Sequence, residues 1–111
     1  MRRLLVLTLP LLLTAACDSE EDGRNAEILA LDGNPAAGEM VFANNTCSTD
    51  ACHGSDGNSG TGTAPALNTV VSGLSDDQII NAVLDGDGAM PPQDLEDQEM
   101  ADVLAWLRTE F

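Results

Sequence analysis

The sequence has no Lys and no Tyr, a single His, a single Trp and two Phe in 111 residues. One histidine, His53, excludes multi-histidine metal sites and His-rich catalytic centres. Four Arg stand against 19 Asp and Glu, a formal charge of -15. Nucleic-acid binding needs Lys and Arg to neutralise phosphates, so no nucleic-acid partner is expected. The aromatic share of 3% is thin for a core that must hold by itself. Domains below roughly 80 residues commonly lean on a disulfide, a metal or some other added group. No apolar run reaches the ~20 residues of a membrane span. No internal repeat and no convincing strand run is visible.

The N-terminus carries an address. Arg2 and Arg3 precede the apolar run Leu4–Leu13, and Ala15 and Ala16 precede Cys17. A charged start, a short apolar stretch and small residues predict a signal peptide over residues 1–16. Thr14-Ala15-Ala16-Cys17 resembles the lipobox of bacterial lipoproteins, with Thr14 where Leu is usual and Leu13 one place further back. That resemblance implies that Cys17 is lipidated and becomes the mature N-terminus, anchored on the extracytoplasmic, periplasmic side of a bacterial membrane. The alternative is an ordinary cleavage site with Cys17 free or in a disulfide. Cleavage before Cys17 removes Arg2 and Arg3 and leaves two Arg against 19 carboxylates, a charge of -17. Residues 17–33 are then the lipidated Cys and an acidic, mostly small-residue tether, ending in at most a weak helical turn.

From residue 34 onward the pattern is helical. Asn34 before Pro35 is an N-cap with Pro at the first helical position, and predicts a helix over about 35–45 with Gly38, Phe42 and Val41 inward. Three Gly between Ser55 and Thr63 predict an irregular loop. Ser75-Asp76-Asp77-Gln78 is a capping box flanked by Leu74 and Ile79, opening a helix to about Leu84. A third helix starts near Glu96, with Leu95 and Met100 as its apolar staple. Its stripe is Met100, Val103, Leu104 and Leu107, with Trp106 beside it.

The chemistry concentrates in Cys47-Ser48-Thr49-Asp50-Ala51-Cys52-His53-Gly54. Its Cys-His end resembles the c-type haem attachment motif, here widened to four residues between the cysteines. Such a motif needs two thiols at fixed points of one porphyrin edge and an imidazole beneath the iron. A Cys47–Cys52 disulfide closing a surface loop, with His53 incidental, is the competing reading.

Residues 34–111 resemble a small class I cytochrome c from end to end. Gly38 and Phe42 match its N-terminal helix, Gly54 follows the haem His, and Pro65 stands where a Pro backbone supports that His. Met90, in Gly86-Asp87-Gly88-Ala89-Met90-Pro91-Pro92, matches the Met-Pro of the second axial ligand. Val103 and Trp106 match the C-terminal helix that crosses the first. Met40 and Met100 fall on helices, where Met is more often core filler, whereas Met90 lies outside any helical period.

The resemblance implies an all-α bundle of about three main helices around one covalently bound haem c. Cys47 and Cys52 are then its attachment points, His53 and Met90 its iron ligands, and Pro65 part of its binding site. It implies an electron carrier cycling between Fe(III) and Fe(II), not an enzyme, serving donor and acceptor redox proteins. The acidic balance adds an expectation of a basic docking face on the partner. Two alternatives stay open: a haem-free interaction lipoprotein with a Cys47–Cys52 disulfide, and a haem-based sensor or gas-binding module.

Overall fold

The computed structural model describes residues 20–49, 51–62 and 64–111, and among them every regular element is helical. In chain order these are α1 (Glu20–Leu29), α2 (Pro35–Asn44), α3 (Leu67–Val70), α4 (Asp76–Asp85) and α5 (Asp97–Glu110). Short 3-10 turns cover Thr46–Ser48 and Val71–Gly73. The all-α expectation holds. The signal peptide and Cys17 lie outside the described residues.

Local sequence sets the three long helices. The Asn34 side-chain oxygen accepts from the N–H groups of Ala36 (3.0 Å) and Ala37 (3.3 Å), which would otherwise be orphaned at the start of α2. At α4, the Gln78 N–H donates to Ser75 Oγ (3.2 Å) and the Ser75 N–H donates to Gln78 Oε1 (2.9 Å), a reciprocal cap. Glu96 and Glu99 form the same box at α5, with the Glu96 N–H 3.0 Å from Glu99 Oε1. Asp76, Asp77, Asp97 and Glu99 add negative charge to the first turns, where the helix dipole favours it.

α2 lies across α5, and the crossing is closest at Gly38. A Cβ there would strike the Asp102 carbonyl oxygen and come within 2.8 Å of the Val103 nitrogen, so no other residue fits without separating the helices. One turn further on, Phe42 packs on Trp106 with ring centroids 4.7 Å apart. Trp106 meets Phe111 edge-on at 5.5 Å. These are all three aromatics of the chain. The expected stripe of α5 is buried: Met100, Val103, Leu104, Trp106 and Leu107 all sit in the core.

Two expectations need correction. Residues 20–29 of the expected tether form α1, which docks on α4 and α5. Ile28 is 1% exposed in the core, and buried Asn25 donates to Asp77 Oδ1 (3.1 Å) and Asn81 Oδ1 (2.9 Å). Arg24 reaches Asp97 Oδ1 (2.9 Å) and the Leu95 carbonyl (2.8 Å). A helix of this length is marginal alone, so these contacts are what hold it. Met40, expected as core filler, is 65% exposed, because α2 turns Gly38 and Phe42 towards α5 and leaves Met40 facing away from the core.

Met100 is 0% exposed. Met100→Ala is expected to cost ~2–5 kcal/mol through lost burial and a residual cavity. Met40→Ala should stay within about 0.5 kcal/mol of the parent, as surface changes do. Guanidinium unfolding followed by far-ultraviolet circular dichroism measures both, and equal losses would contradict this packing.

Candidate haem site

The chain leaving α2 turns at once. Asn45 Nδ2 donates to the Val41 carbonyl (2.6 Å), and Ser48 Oγ shares its donor between the carbonyls of Ala43 (3.0 Å) and Asn45 (3.1 Å). The Cys47 carbonyl accepts from the His53 N–H at 3.1 Å. The Thr49 carbonyl accepts from the N–H groups of Cys52 (3.0 Å) and Gly54 (2.9 Å). These bonds close the widened Cys-x4-Cys interval into one compact loop. Cys47 and Cys52 are both free thiols at partly buried positions, and no disulfide joins them. Burial pushes the Cys47 thiol above its ordinary value; its own backbone N–H opposes this, and the neighbouring Cys52 adds to it.

The segment after His53 doubles back onto it. Gly54 (φ +82°) and Gly57 (φ +79°) take backbone conformations that side chains disfavour. The His53 carbonyl accepts from the N–H groups of both Ser59 and Gly60 at 3.1 Å. At Gly60 a Cβ would strike the Cys52 carbonyl oxygen, so this return is backbone against backbone. The Leu67 N–H then donates to the Gly57 carbonyl (2.9 Å).

The result is that the Pro65 carbonyl oxygen stands 2.9 Å from Nδ1 of His53, itself only 8% exposed. A carbonyl can only accept, so Nδ1 is the donor of this bond, and Nε2 is the ring nitrogen left uncommitted by it. Tying one ring nitrogen to a backbone carbonyl fixes the tautomer and the ring orientation, and leaves the other nitrogen free for a metal.

Met90 is held by a second tight loop. Asp87 and Met90 exchange both backbone hydrogen bonds (3.0 and 2.9 Å) around Gly88 at φ +58°. Gly86, at φ +84°, lies so close that a Cβ would come within 2.8 Å of the Met90 carbonyl oxygen. Gln93 ties this loop to α4: its N–H donates to the Val83 carbonyl (2.8 Å) and its Nε2 to the Pro91 carbonyl (3.1 Å). Sequence reasoning missed Gln93, since one polar residue after two prolines carries no periodic or motif signal.

Cys47, Cys52, His53, Pro65 and Met90 all line one cavity of about 490 Å³, with Leu67, Val71, Ile79, Val83 and Leu107 among its apolar walls. Cofactor sites are usually apolar pockets of ~300–1,000 Å³ with a few placed polar groups. A smaller space of about 50 Å³ shares Cys47, His53 and Met90 and reaches Phe42 and Val103 at the helix crossing. Two thiols, an uncommitted imidazole nitrogen and a thioether on aliphatic walls fit a porphyrin with its iron. Of the candidate site residues named from the sequence, only Cys17 lies outside the described residues.

Residues 33–107 match the family model described as cytochrome C oxidase, cbb3-type, subunit III. No curated protein and no solved structure matches the chain. The matched range takes in the helix crossing and both loops of the cavity, and leaves α1 outside it. The chain therefore belongs to this cytochrome c family, whose domains carry haem c and pass electrons between redox partner proteins.

Proposed function

We propose that Cys47 and Cys52 would hold one haem c through thioether bonds, with His53 Nε2 and Met90 Sδ as the groups that would bind its iron. The domain then works as an electron carrier anchored by lipid on Cys17 to the extracytoplasmic side of a bacterial membrane. The observation that carries the site assignment is the Pro65 carbonyl at 2.9 Å from His53 Nδ1. It occupies Nδ1 and so supports Nε2 as the ring nitrogen that meets the iron, within a cavity that both thiols and Met90 also line.

When bound, the haem supplies a one-electron Fe(III)/Fe(II) couple. Each thiol adds its S–H across one vinyl group, which fixes the cofactor without spending a ligand of the iron. His53 donates a basic nitrogen whose partner bond to Pro65 keeps the ring from rotating. Met90 supplies a thioether, which favours Fe(II) and raises the potential relative to a second His. The aliphatic walls act in the same direction by opposing the extra charge of Fe(III). With His53 and Met90 both holding the iron, the domain would carry electrons rather than make bonds. A free thiol at both cysteines favours this reading over the disulfide-closed interaction module.

Acid–acetone extraction followed by intact mass should show the haem retained on the chain; release of all haem contradicts the covalent assignment. Met90→Ala should remove the weak near-infrared charge-transfer band of sulfur on Fe(III) and lower the potential. An unchanged spectrum would reject Met90 as ligand.

Cys17→Ala should move a haem-loaded protein from the membrane fraction to the soluble one. Retention in the membrane fraction would point to some other anchor.

Arg24 and Arg108, the only cations left after cleavage, are each paired inside the fold, to Asp97 at 2.9 Å and Asp76 at 2.8 Å. The remaining carboxylates set a negative outer field, which suits a basic partner face. Steering of this kind raises on-rates by ~10–10³-fold at low salt. It fades as the Debye length shrinks below about 10 Å. A cationic oxidant should therefore react faster than an anionic one at low salt, with the gap closing as salt rises; equal rates at low salt would count against it.

A further inference from the structure

We infer that α1 is a short fixed lead, holding the domain against its own membrane so that its electron partner is a protein embedded in that membrane. The inference rests on the lipid at Cys17 proposed above. Three side chains of α1 are committed to the domain. Arg24 bonds Asp97 and the Leu95 carbonyl, Asn25 is 4% exposed between Asp77 and Asn81, and Ile28 is 1% exposed in the core. Docking therefore begins at Arg24, seven residues after Cys17. At ~3.6 Å per residue, full extension allows at most about 25 Å between them. If docking began at Asn34 instead, seventeen residues would allow about 60 Å by the same measure.

The docking is not borrowed from the cytochrome domain, because α1 precedes the matched residues 33–107. Nor is it a generic apolar patch. A buried Asn with two hydrogen-bond partners specifies one register, since any slip would leave its amide unpaired. Arg24 reads the same register from the other side, on the segment that leads into α5. The docking thus caps how far the domain can stand from the bilayer and sets the point of the fold by which it is held. A lipid-tethered domain on a short lead cannot reach acceptors far out in the aqueous space. It can meet a redox protein of the same membrane whose electron port lies close to the surface.

The test uses the full lipidated, haem-loaded chain in vesicles whose lipid headgroups carry a fluorophore that the haem quenches. The native chain should quench strongly. Inserting sixteen Gly/Ser residues between Ser19 and Glu20 leaves every docked residue in place and adds about 20–24 Å of r.m.s. reach; it should lose much of the quenching. Arg24→Ala combined with Ile28→Asp, which frees α1, should lose it as well. Native quenching no stronger than that of the inserted chain would overturn the inference, and so would full quenching by the undocked variant. Mass on the same sample reads the lipid. Its absence removes the anchoring reading and this inference together, whereas lipid present with equal quenching removes this inference alone.

Discussion

The contact on which the rest of the fold depends is the approach of Gly38 in α2 to the carbonyl of Asp102 in α5. A ten-residue helix has little stability of its own, so α2 exists because α5 takes its face. Asp102 acts twice at this point. Its carbonyl defines how close α2 can come, and its buried carboxylate accepts from the Asn34 N–H (2.8 Å) and Gln98 Nε2 (3.0 Å). Depth and axial position of α2 are thus set by one residue of the partner helix. Phe42 then falls on Trp106, and the direction in which α2 ends is decided. Cys47 comes three residues after that end, inside a turn pinned to the carbonyls of Val41, Ala43 and Asn45. The placement of Cys47, the first thiol of the cavity, is inherited from a helix crossing that lies outside the Cys-His segment.

The two described arginines explain how so acidic a chain closes its weak points. Arg108 reaches Asp76 at the start of α4 and the carbonyls of Val71 (2.8 Å) and Leu74 (2.7 Å), at the 3-10 turn ahead of that helix. Arg24 does the same for Asp97 and the Leu95 carbonyl ahead of α5. Exposed ion pairs alone contribute ~0–1 kcal/mol. The carbonyl bonds matter more, since each fork also satisfies a backbone group that a loop cannot satisfy by itself. Both described arginines are spent on joints, so neither is left to offset the surface carboxylates.

What could be read from the sequence is what is local. The caps at Asn34, Ser75 and Glu96 are decided within four residues, and α2, α4 and α5 begin where those residues place them. Cys47, Cys52 and His53 could be read for the same reason, being nearly contiguous, and Met90 because Gly and Pro bracket it. α1 could not, since its burial uses one Ile and one Asn, while the more conspicuous Leu29 and Leu31 remain exposed at 43% and 39%. Met40 shows the same limit: it lies on a helix, and only the direction of the Gly38 crossing turns it outward, whereas the α5 stripe already marks Met100 as covered. Gln93 is the site's counterpart, a residue whose place comes from a hydrogen bond to α4 that no spacing announces.

Scaffold and site also divide by backbone conformation. Among the described residues, the only positive φ values are at Gly54, Gly57, Gly86 and Gly88. The first two let the chain return so that the Pro65 carbonyl meets His53, and the second two make the turn that carries Met90. The crossing helices need a glycine as well, but at Gly38 the need is for space and the conformation is ordinary. Unfavourable backbone is thus confined to the two loops that bring ligands to the cavity, and is held there by hydrogen bonds at Gly57, Gly60 and Met90. Such conformations persist only where their surroundings over-determine them. The aliphatic walls from α3, α4 and α5 add no directional constraint, so the positions of an imidazole and a thioether rest on these loop bonds. A domain with three aromatics can bring His53 and Met90 to one cavity because its glycines, rather than a large core, dictate where the chain turns.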